Sequence, residues 1–240
     1  FINLIRKWLK AGILEEDGKV INPLTGTPQG GAISAVLANI YLHFALDLWF
    51  EKRVKPIARG AAMIIRFADD FVCCFQHRED ASKFYEDLEG RLAKFNLTLA
   101  EDKTRMMFFS RMQTESSNTF CFLGFEYRWD KTRNGKAIVR TRTDRKKLCN
   151  AVRSMKEWIV EVRCTQNLSQ IMTTLKSKLR GHYNYYGVRN NFDSIDVYYW
   201  KTWQIMFKWL NRRSQRKSYT VEGFKEMWAY FNVPSPRIRC

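Results

Sequence analysis

The stretch that most constrains this chain is "MIIRFADDFVCCF", residues 63–75. Two short runs rich in Ile, Phe and Val flank an adjacent pair of acids, Asp69 and Asp70. Residues 61–67 and 71–76 are too short for helices and have the composition of strands. The link between them is so short that they must form a tight hairpin. An Asp-Asp turn in water is an ordinary solvated turn. Here the flanks are almost wholly apolar, which predicts strands buried on both faces and a tip that is more than surface decoration. Arg66 is the one nearby charge able to offset the pair. Close carboxylates repel each other, and a bound cation relieves the repulsion. Hard oxygen donors suit Mg²⁺, which takes one or two protein carboxylates and completes its shell with water and phosphate.

Around the hairpin the periodicity is mixed. Residues 1–11 read as an amphipathic helix closed by Gly12, and "DGKVINPLTGTPQGG" (17–31) as a turn-rich loop with a short strand at 19–21. Apolar positions 33, 36, 37, 40, 41, 44, 48 and 49 form a helical stripe over residues 32–52. A helix follows at 79–95, and "TRMMFFS" (104–110) is a strand candidate. "TFCFLGFEYRW" (119–129) and "KAIVR" (136–140) read as strands separated by the turn "DKTRNG". After residue 141 helical periods dominate, at 143–163, 168–187, 193–212 and 220–231, with "NRRSQRKS" (211–218) as a basic linker. The change in texture puts a domain boundary near 140. The chain opens "FINLIRKWLKAG", without Met and already in a helical pattern, which reads as a piece of something longer.

The chain's net charge of +17 points to a polyanionic partner, most simply nucleic acid. Residues 141–240 hold 20 Lys and Arg against 7 Asp and Glu, whereas residues 1–140 hold 21 against 17. The second part is therefore the expected electrostatic footprint. The six Cys form no CxxC pair and the three His are scattered, which argues against a zinc site. No disulfide pattern is visible, so a reducing cytoplasm is expected. No apolar run reads as long enough to span a membrane, and no membrane partner is expected.

The "FADD" turn with its apolar flanks resembles the catalytic hairpin of reverse transcriptases. About 40 residues upstream, "GTPQGGAISAVLANIYLHFALD" is similar to a block of group II intron reverse transcriptases, also called maturases. The two blocks in this order and spacing are far more specific than either alone. "LTLAEDKTRMMFF" and "FLGFEY" follow where that family has its later palm motifs. "LRGHYNYYGV" and "FKWLNRRSQRKSYTVEGF" resemble the thumb and maturase region of the bacterial class that lacks a C-terminal endonuclease. The resemblance covers nearly the whole chain.

What the resemblance implies can be carried over residue by residue. Asp69 is the main metal ligand, and Asp70 a neighbour that helps hold the metal or the hairpin geometry. Phe67 packs near the primer end. Pro28, Gln29 and Gly30 lie in a loop entering a helix, where backbone N–H groups can approach an anion closely; they are the candidates for contact with nucleotide and template. Lys103 assists departure of pyrophosphate by charge or proton donation. Leu123 and Gly124 belong to the primer-grip hairpin, where Gly124 permits a tight turn or the close approach of a nucleic-acid backbone. Arg212, Arg213, Arg216 and Lys217 form the densest basic cluster and the best candidate for RNA backbone contact. Tyr183, Tyr185, Tyr186, Tyr198, Tyr199, Trp200, Trp203 and Trp209 have helical spacing that makes most of them core. His182 is expected to be a hydrogen-bonded packing residue.

The expected fold is α+β: the C-terminal part of a polymerase palm over 1–140, an antiparallel sheet with helices, then an all-α thumb or maturase domain over 141–240. The implied function is RNA-directed DNA synthesis by a group II intron protein that also binds its intron RNA and assists splicing. The partners are an RNA template, intron RNA, a DNA primer or target and dNTPs, with two Mg²⁺ ions as cofactor. The family's metal site needs a further Asp from an earlier strand. No acid between 1 and 62 has that context, so this chain alone is expected to be inactive. A bacterial cytoplasmic protein is expected. The rival readings are a domesticated reverse transcriptase serving phage defence or a CRISPR-associated module, a non-catalytic splicing cofactor, and an RNA-dependent RNA polymerase. The absence of GDD weighs against the last.

Overall fold

The structure is a computed structural model and describes residues 2–10, 13–14, 20–21, 32–111, 118–213 and 218–239. The chain forms two compact units, Phe1–Met107 and Phe108–Cys240. The texture change near residue 140 falls inside the second unit, between its sheet and its helices.

The first unit begins with helix α1 (Ile2–Lys10) and a minimal antiparallel pair, β1 (Ile13–Leu14) and β2 (Val20–Ile21). Helix α2 (Ala32–Leu42) does not stop where its α-geometry stops. It runs on through wide π-helical turns at His43–Asp47 and Phe50–Val54 and a 3₁₀ turn at Lys55–Ile57. The hairpin follows as β3 (Ala62–Phe67) and β4 (Asp70–Phe75), antiparallel, with Ile64 opposite Cys73 and Phe67 opposite Asp70. Helix α3 (Arg78–Ala93) then packs back through Phe84, Leu88 and Leu92, spaced by one helical turn each. The core joins these three to Leu46, Phe50, Val54 and Ala62. Phe84 is its hub: it stacks on Trp49 at 5.5 Å and meets Phe50 edge-on at 5.7 Å.

Two expectations change here. β3 is not buried on both faces. Ala62, Ile64 and Arg66 turn inward, whereas Met63, Ile65 and Phe67 stand exposed on the other face. A two-stranded sheet has one helical layer to pack on, so period-2 alternation decides which half is covered. The apolar run also proves longer than the sequence suggests. Helical continuity across the wide turns makes Ile33–Ile57 a 25-residue helix, by length and composition enough to cross a membrane. Its second half is instead the wall on which the hairpin and α3 pack. Residues 104–110 form no strand among the described residues.

The second unit opens with a three-stranded antiparallel sheet, β5 (Thr119–Phe122), β6 (Phe125–Lys131) and β7 (Ala137–Thr143), in that spatial order. Segment 119–129 is therefore not one strand but a hairpin reversed at Leu123–Gly124. Four helices follow: α4 (Arg145–Val162), α5 (Leu168–Tyr186), α6 (Phe192–Leu210) and α7 (Val221–Tyr230). Three of them begin at residues suited to the task. Asp144 Oδ1 accepts from Lys147 N at 2.9 Å, Asn167 and Gln170 form a reciprocal capping box, and Thr220 Oγ1 accepts from Gly223 N at 3.1 Å. Their apolar stripes meet in one core that includes Ile159, Leu175, Leu179, Met206 and Phe224. A buried amide fastens sheet to helices: Asn191 Oδ1 accepts from Thr143 N at 2.7 Å, while its Nδ2 donates to Thr143 Oγ1 and to Tyr186 O.

Candidate functional site

The hairpin tip is built from the inside outward. Phe67 pairs with Asp70, which leaves Ala68 and Asp69 as the two turn residues. Ala68 has φ 53°, a conformation that costs a residue with a Cβ about 1 kcal/mol or more. Arg66 holds it there. The guanidinium reaches past the turn and donates from Nη1 to Ala68 O at 2.8 Å. The same group donates to Asn39 Oδ1 at 2.8 Å, and through Nε and Nη2 to both carboxylate oxygens of Asp47, at 2.8 and 2.6 Å. Arg66 is thus a brace between the turn and α2. The expectation that it offsets the acids of the turn is corrected: its charge is paired with Asp47. The side-chain hydrogen bonds from Arg66 hold the Asp47 carboxyl below the usual carboxylate range.

Asp69 and Asp70 both stand exposed, and neither has a hydrogen-bond or ion-pair partner among the described residues. The pair is an acceptor-only oxygen set on a fixed turn, which is the donor chemistry of a hard divalent cation. Among the described residues no group of three or more His, Cys, Asp or Glu comes together to hold a metal. The tip therefore offers part of a site, two carboxylates held by a rigid base. Cys73 and Cys74 sit in β4 behind it; burial pushes the Cys73 thiol up to about 12 and raises Cys74 as well, so neither is a ready nucleophile.

Phe67 is 65% exposed beside the acids and is not a core residue of this unit. Lys103 lies in an exposed turn at 101–103. Pro28, Gln29 and Gly30 lie outside the described residues, as do Arg216 and Lys217.

The second unit carries the other named residues. Leu123 (φ 51°) and Gly124 (φ 76°) both occupy the left-handed region, as a two-residue hairpin turn of mirror-image type requires. The close approach that Gly124 permits is that of Tyr186, whose hydroxyl lies 3.1 Å from where a Cβ would be. Tyr185 donates its hydroxyl to Leu123 O at 2.9 Å and stacks on Phe125. The turn is thus clamped onto the end of α5. Arg212 is exposed with its guanidinium 5.3 Å from the Trp209 ring, and Arg213 donates to Gln166 O at 3.0 Å. Of the eight clustered aromatics, Tyr185 and Trp200 stand exposed and the other six belong to or pack against the core. His182 stacks on Tyr198 at 3.7 Å, but its Nε2 is buried with no hydrogen-bond partner among the described residues, contrary to the hydrogen-bonded role expected. Burial depresses its pKa to about 4.

The sequence reading missed Asn39 and Asp47, which stand in the apolar helix stripe's own block, and the Tyr185–Tyr186 clamp. A signal existed for the first. Arg66 falls at an inward position of an apolar strand, and a charge placed there needs a partner.

Residues 2–127 match the family "Reverse transcriptase (RNA-dependent DNA polymerase)", and the chain belongs to it. Within that class its similarity runs to group II intron proteins. It is 24% identical over 314 aligned residues to the group II intron-encoded protein LtrA of Lactococcus lactis subsp. cremoris, covering 96% of this chain and 51% of the relative. Shorter matches cover 25% of the chain. One is 56% identical over 64 residues to an uncharacterized 91 kDa protein in a cob intron of Schizosaccharomyces pombe, covering 8% of it. Another is 38% identical over 60 residues to a putative COX1/OXI3 intron 1 protein of Saccharomyces cerevisiae, covering 7% of it. The chain spans about half the length of LtrA and far less of the other two. The family places nucleic acid among its partners and generally uses Mg²⁺.

Proposed function

We propose that this chain is the palm-and-thumb portion of a group II intron reverse transcriptase that copies RNA into DNA and also binds its intron RNA to assist splicing. The observation that carries the reading is the braced tip: two unpartnered carboxylates on a turn that Arg66 fixes to α2. A non-catalytic RNA binder has no use for such a turn. Asp69 and Asp70 would hold Mg²⁺, Asp69 as the main ligand. When bound, the metal supplies charge neutralisation at the phosphates and activation of the primer 3′ hydroxyl. Asp69 and Asp70 contribute oxygens only, and Arg66 keeps their turn from relaxing. Phe67 offers an exposed ring to the primer end. Lys103 would place a cation by the departing pyrophosphate, and Pro28, Gln29 and Gly30 would meet nucleotide and template. The Leu123–Gly124 turn would steady the primer, and Arg212, Arg213, Arg216 and Lys217 would contact RNA backbone.

Two carboxylates make a partial metal site, so a further carboxylate from outside these residues is needed and this chain by itself is expected to be inactive. A reducing bacterial cytoplasm is the compartment we propose, from the lack of a disulfide spacing pattern in the sequence. The test is primer extension on an RNA template with Mg²⁺ and dNTPs. It compares the intact parent protein, its Asp69→Ala form and this 240-residue chain. Extension by the intact parent, lost by about 10³-fold in Asp69→Ala, is the expected result. A parent that binds RNA but does not extend would replace this reading with the splicing-cofactor one.

A further inference from the structure

The wide turn at His43–Asp47 is a costly way to wind a helix. Such π turns are rare, and a segment returns to α winding unless something holds it. Arg66 holds this one from the hairpin, by gripping Asn39 before the turn and Asp47 at its end. Asn39 is itself oriented, since its Nδ2 donates to Ala35 O at 3.1 Å.

A second arginine holds the turn from α3. Arg91 Nε donates to Ala45 O at 2.8 Å and its Nη2 to Phe44 O at 2.9 Å. Both carbonyls lie inside the wide turn. Carbonyls within an α-helix point along its axis at the amides of the following turn, and a side chain from another element seldom reaches them. Here two consecutive ones receive the two arms of one planar fork, which a lysine cannot reproduce.

The fork is fixed in its own right. Its guanidinium carbon lies 4.5 Å from the Phe95 ring centroid and 5.9 Å from that of Trp49. Phe95 also takes Tyr41, whose hydroxyl donates to Phe95 O at 2.7 Å and whose ring meets it edge-on at 5.7 Å. Arg91 is anchored between Leu88 and Leu92, both buried in the core of the unit. The end of α3 therefore grips the long helix before the wide turn at Tyr41, within it at Phe44 and Ala45, and after it at Trp49.

We infer that Arg91 is a positioning residue for the Asp69–Asp70 turn, acting through the winding of the helix and not by contact. The inference rests on the polymerase function proposed above. Arg91 fixes two carbonyls of the wide turn, and the wide turn sets how Asn39 and Asp47 face each other. Those two hold Arg66, and Arg66 holds Ala68 O at 2.8 Å. The rival account makes Arg91 one more contact between α3 and the helix, worth no more to the turn than an apolar neighbour.

The experiment uses the intact parent protein with Arg91→Met, Arg91→Lys, Arg66→Lys, the pair Arg91→Met with Arg66→Lys, and Leu88→Val as the apolar control. Thermal midpoint, hydrogen exchange of the peptide spanning residues 62–75, and primer extension well below the midpoint are measured on each. Arg91→Met is expected to lower kcat about tenfold with KM for dNTP within about twofold, and to speed exchange in the hairpin. Arg91→Lys, which keeps the charge and reaches one carbonyl at a time, is expected to fall between Arg91→Met and the unaltered protein. Leu88→Val, at an equal or larger loss of midpoint, is expected to leave kcat and hairpin exchange within about twofold. The paired variant is expected to be no worse than Arg66→Lys alone, because both changes act on one support. An unchanged kcat in Arg91→Met, an equal loss in Leu88→Val, or losses that multiply in the paired variant would overturn the inference. An unaltered parent that extends no primer would overturn the polymerase reading instead. Exchange then decides the route by itself: faster in Arg91→Met and Arg66→Lys but not in Leu88→Val supports it, and no such difference overturns it.

Discussion

The two units solve opposite problems. In the second, every helix turns an apolar stripe into one shared core, and the sheet is tied on by Asn191 and clamped at its turn by Tyr185. In the first, the sheet covers one face with α2 and α3 and leaves Met63, Ile65 and Phe67 in solvent. The charges divide the same way. Residues 1–107 hold 15 Lys and Arg against 14 Asp and Glu, close to neutral beside the strongly basic second unit. Under the function proposed above, the contrast puts the binding of a polyanion and of a cation between two carboxylates on different supports. A lysine-rich surround would pair with Asp69 and Asp70 and compete with the metal. A near-neutral platform whose Arg66 is bound to Asp47 leaves them free.

The comparison can be broken first by unequal core deletions. Leu175→Ala in the second unit removes a fully buried side chain and should cost about 2–5 kcal/mol in urea unfolding. Ile65→Ala on the open face of β3 should stay within about 0.5 kcal/mol. Equal costs would mean that the open face is covered in solution. Next comes Arg66→Lys. A point charge cannot bond both oxygens of Asp47 while reaching Ala68 O and Asn39, so about 2 kcal/mol should be lost. Primer extension by the parent should fall at least about tenfold although neither acid of the turn is touched.

The same pair gives the first unit an acid limit. Asp47 has a folded pKa below its unfolded one. Its contribution is complete above the ordinary carboxylate pKa, about 3.9, and is lost as pH falls through the folded value. Unfolding followed through Trp49 should therefore weaken below about pH 4, and Asp47→Asn should flatten that dependence. In the second unit, Gly124→Ala should cost about 1–2 kcal/mol, from a left-handed backbone and the Tyr186 hydroxyl together. Tyr185→Phe, which loses one exposed hydrogen bond to Leu123 O, should cost no more than about 1 kcal/mol.

The elements that could be read from the sequence were those whose stabilising partners are close along the chain. The hairpin at 62–75, the helix at 78–93 and the four C-terminal helices follow from periodicity and from caps such as Asn167 with Gln170. The acids of the turn were legible because two adjacent carboxylates amid apolar flanks have few uses. What stayed hidden depends on pairings across long separations. Arg66 meets Asp47 across 19 residues, and Tyr185 meets Leu123 across 62. Periodicity carries no information about either. The segment 104–110 misled for the converse reason: its composition suits a strand, but it takes up no strand pairing among the described residues.

Asn39 and Asp47 are eight positions apart, and in an unbroken α-helix they would point roughly 80° away from each other. Both nevertheless meet the one guanidinium of Arg66. The wide turn at His43–Asp47 lies between them and rewinds the helix enough to align them. The turn is thus governed by how many residues separate two positions on the helix that holds its brace, as well as by which residues they are. Chain length itself becomes a specified quantity here. Ordinary winding at the present length would part the two by about 80° and leave Ala68 unsupported, whereas with one residue fewer between them seven positions of ordinary winding would again place both on one face.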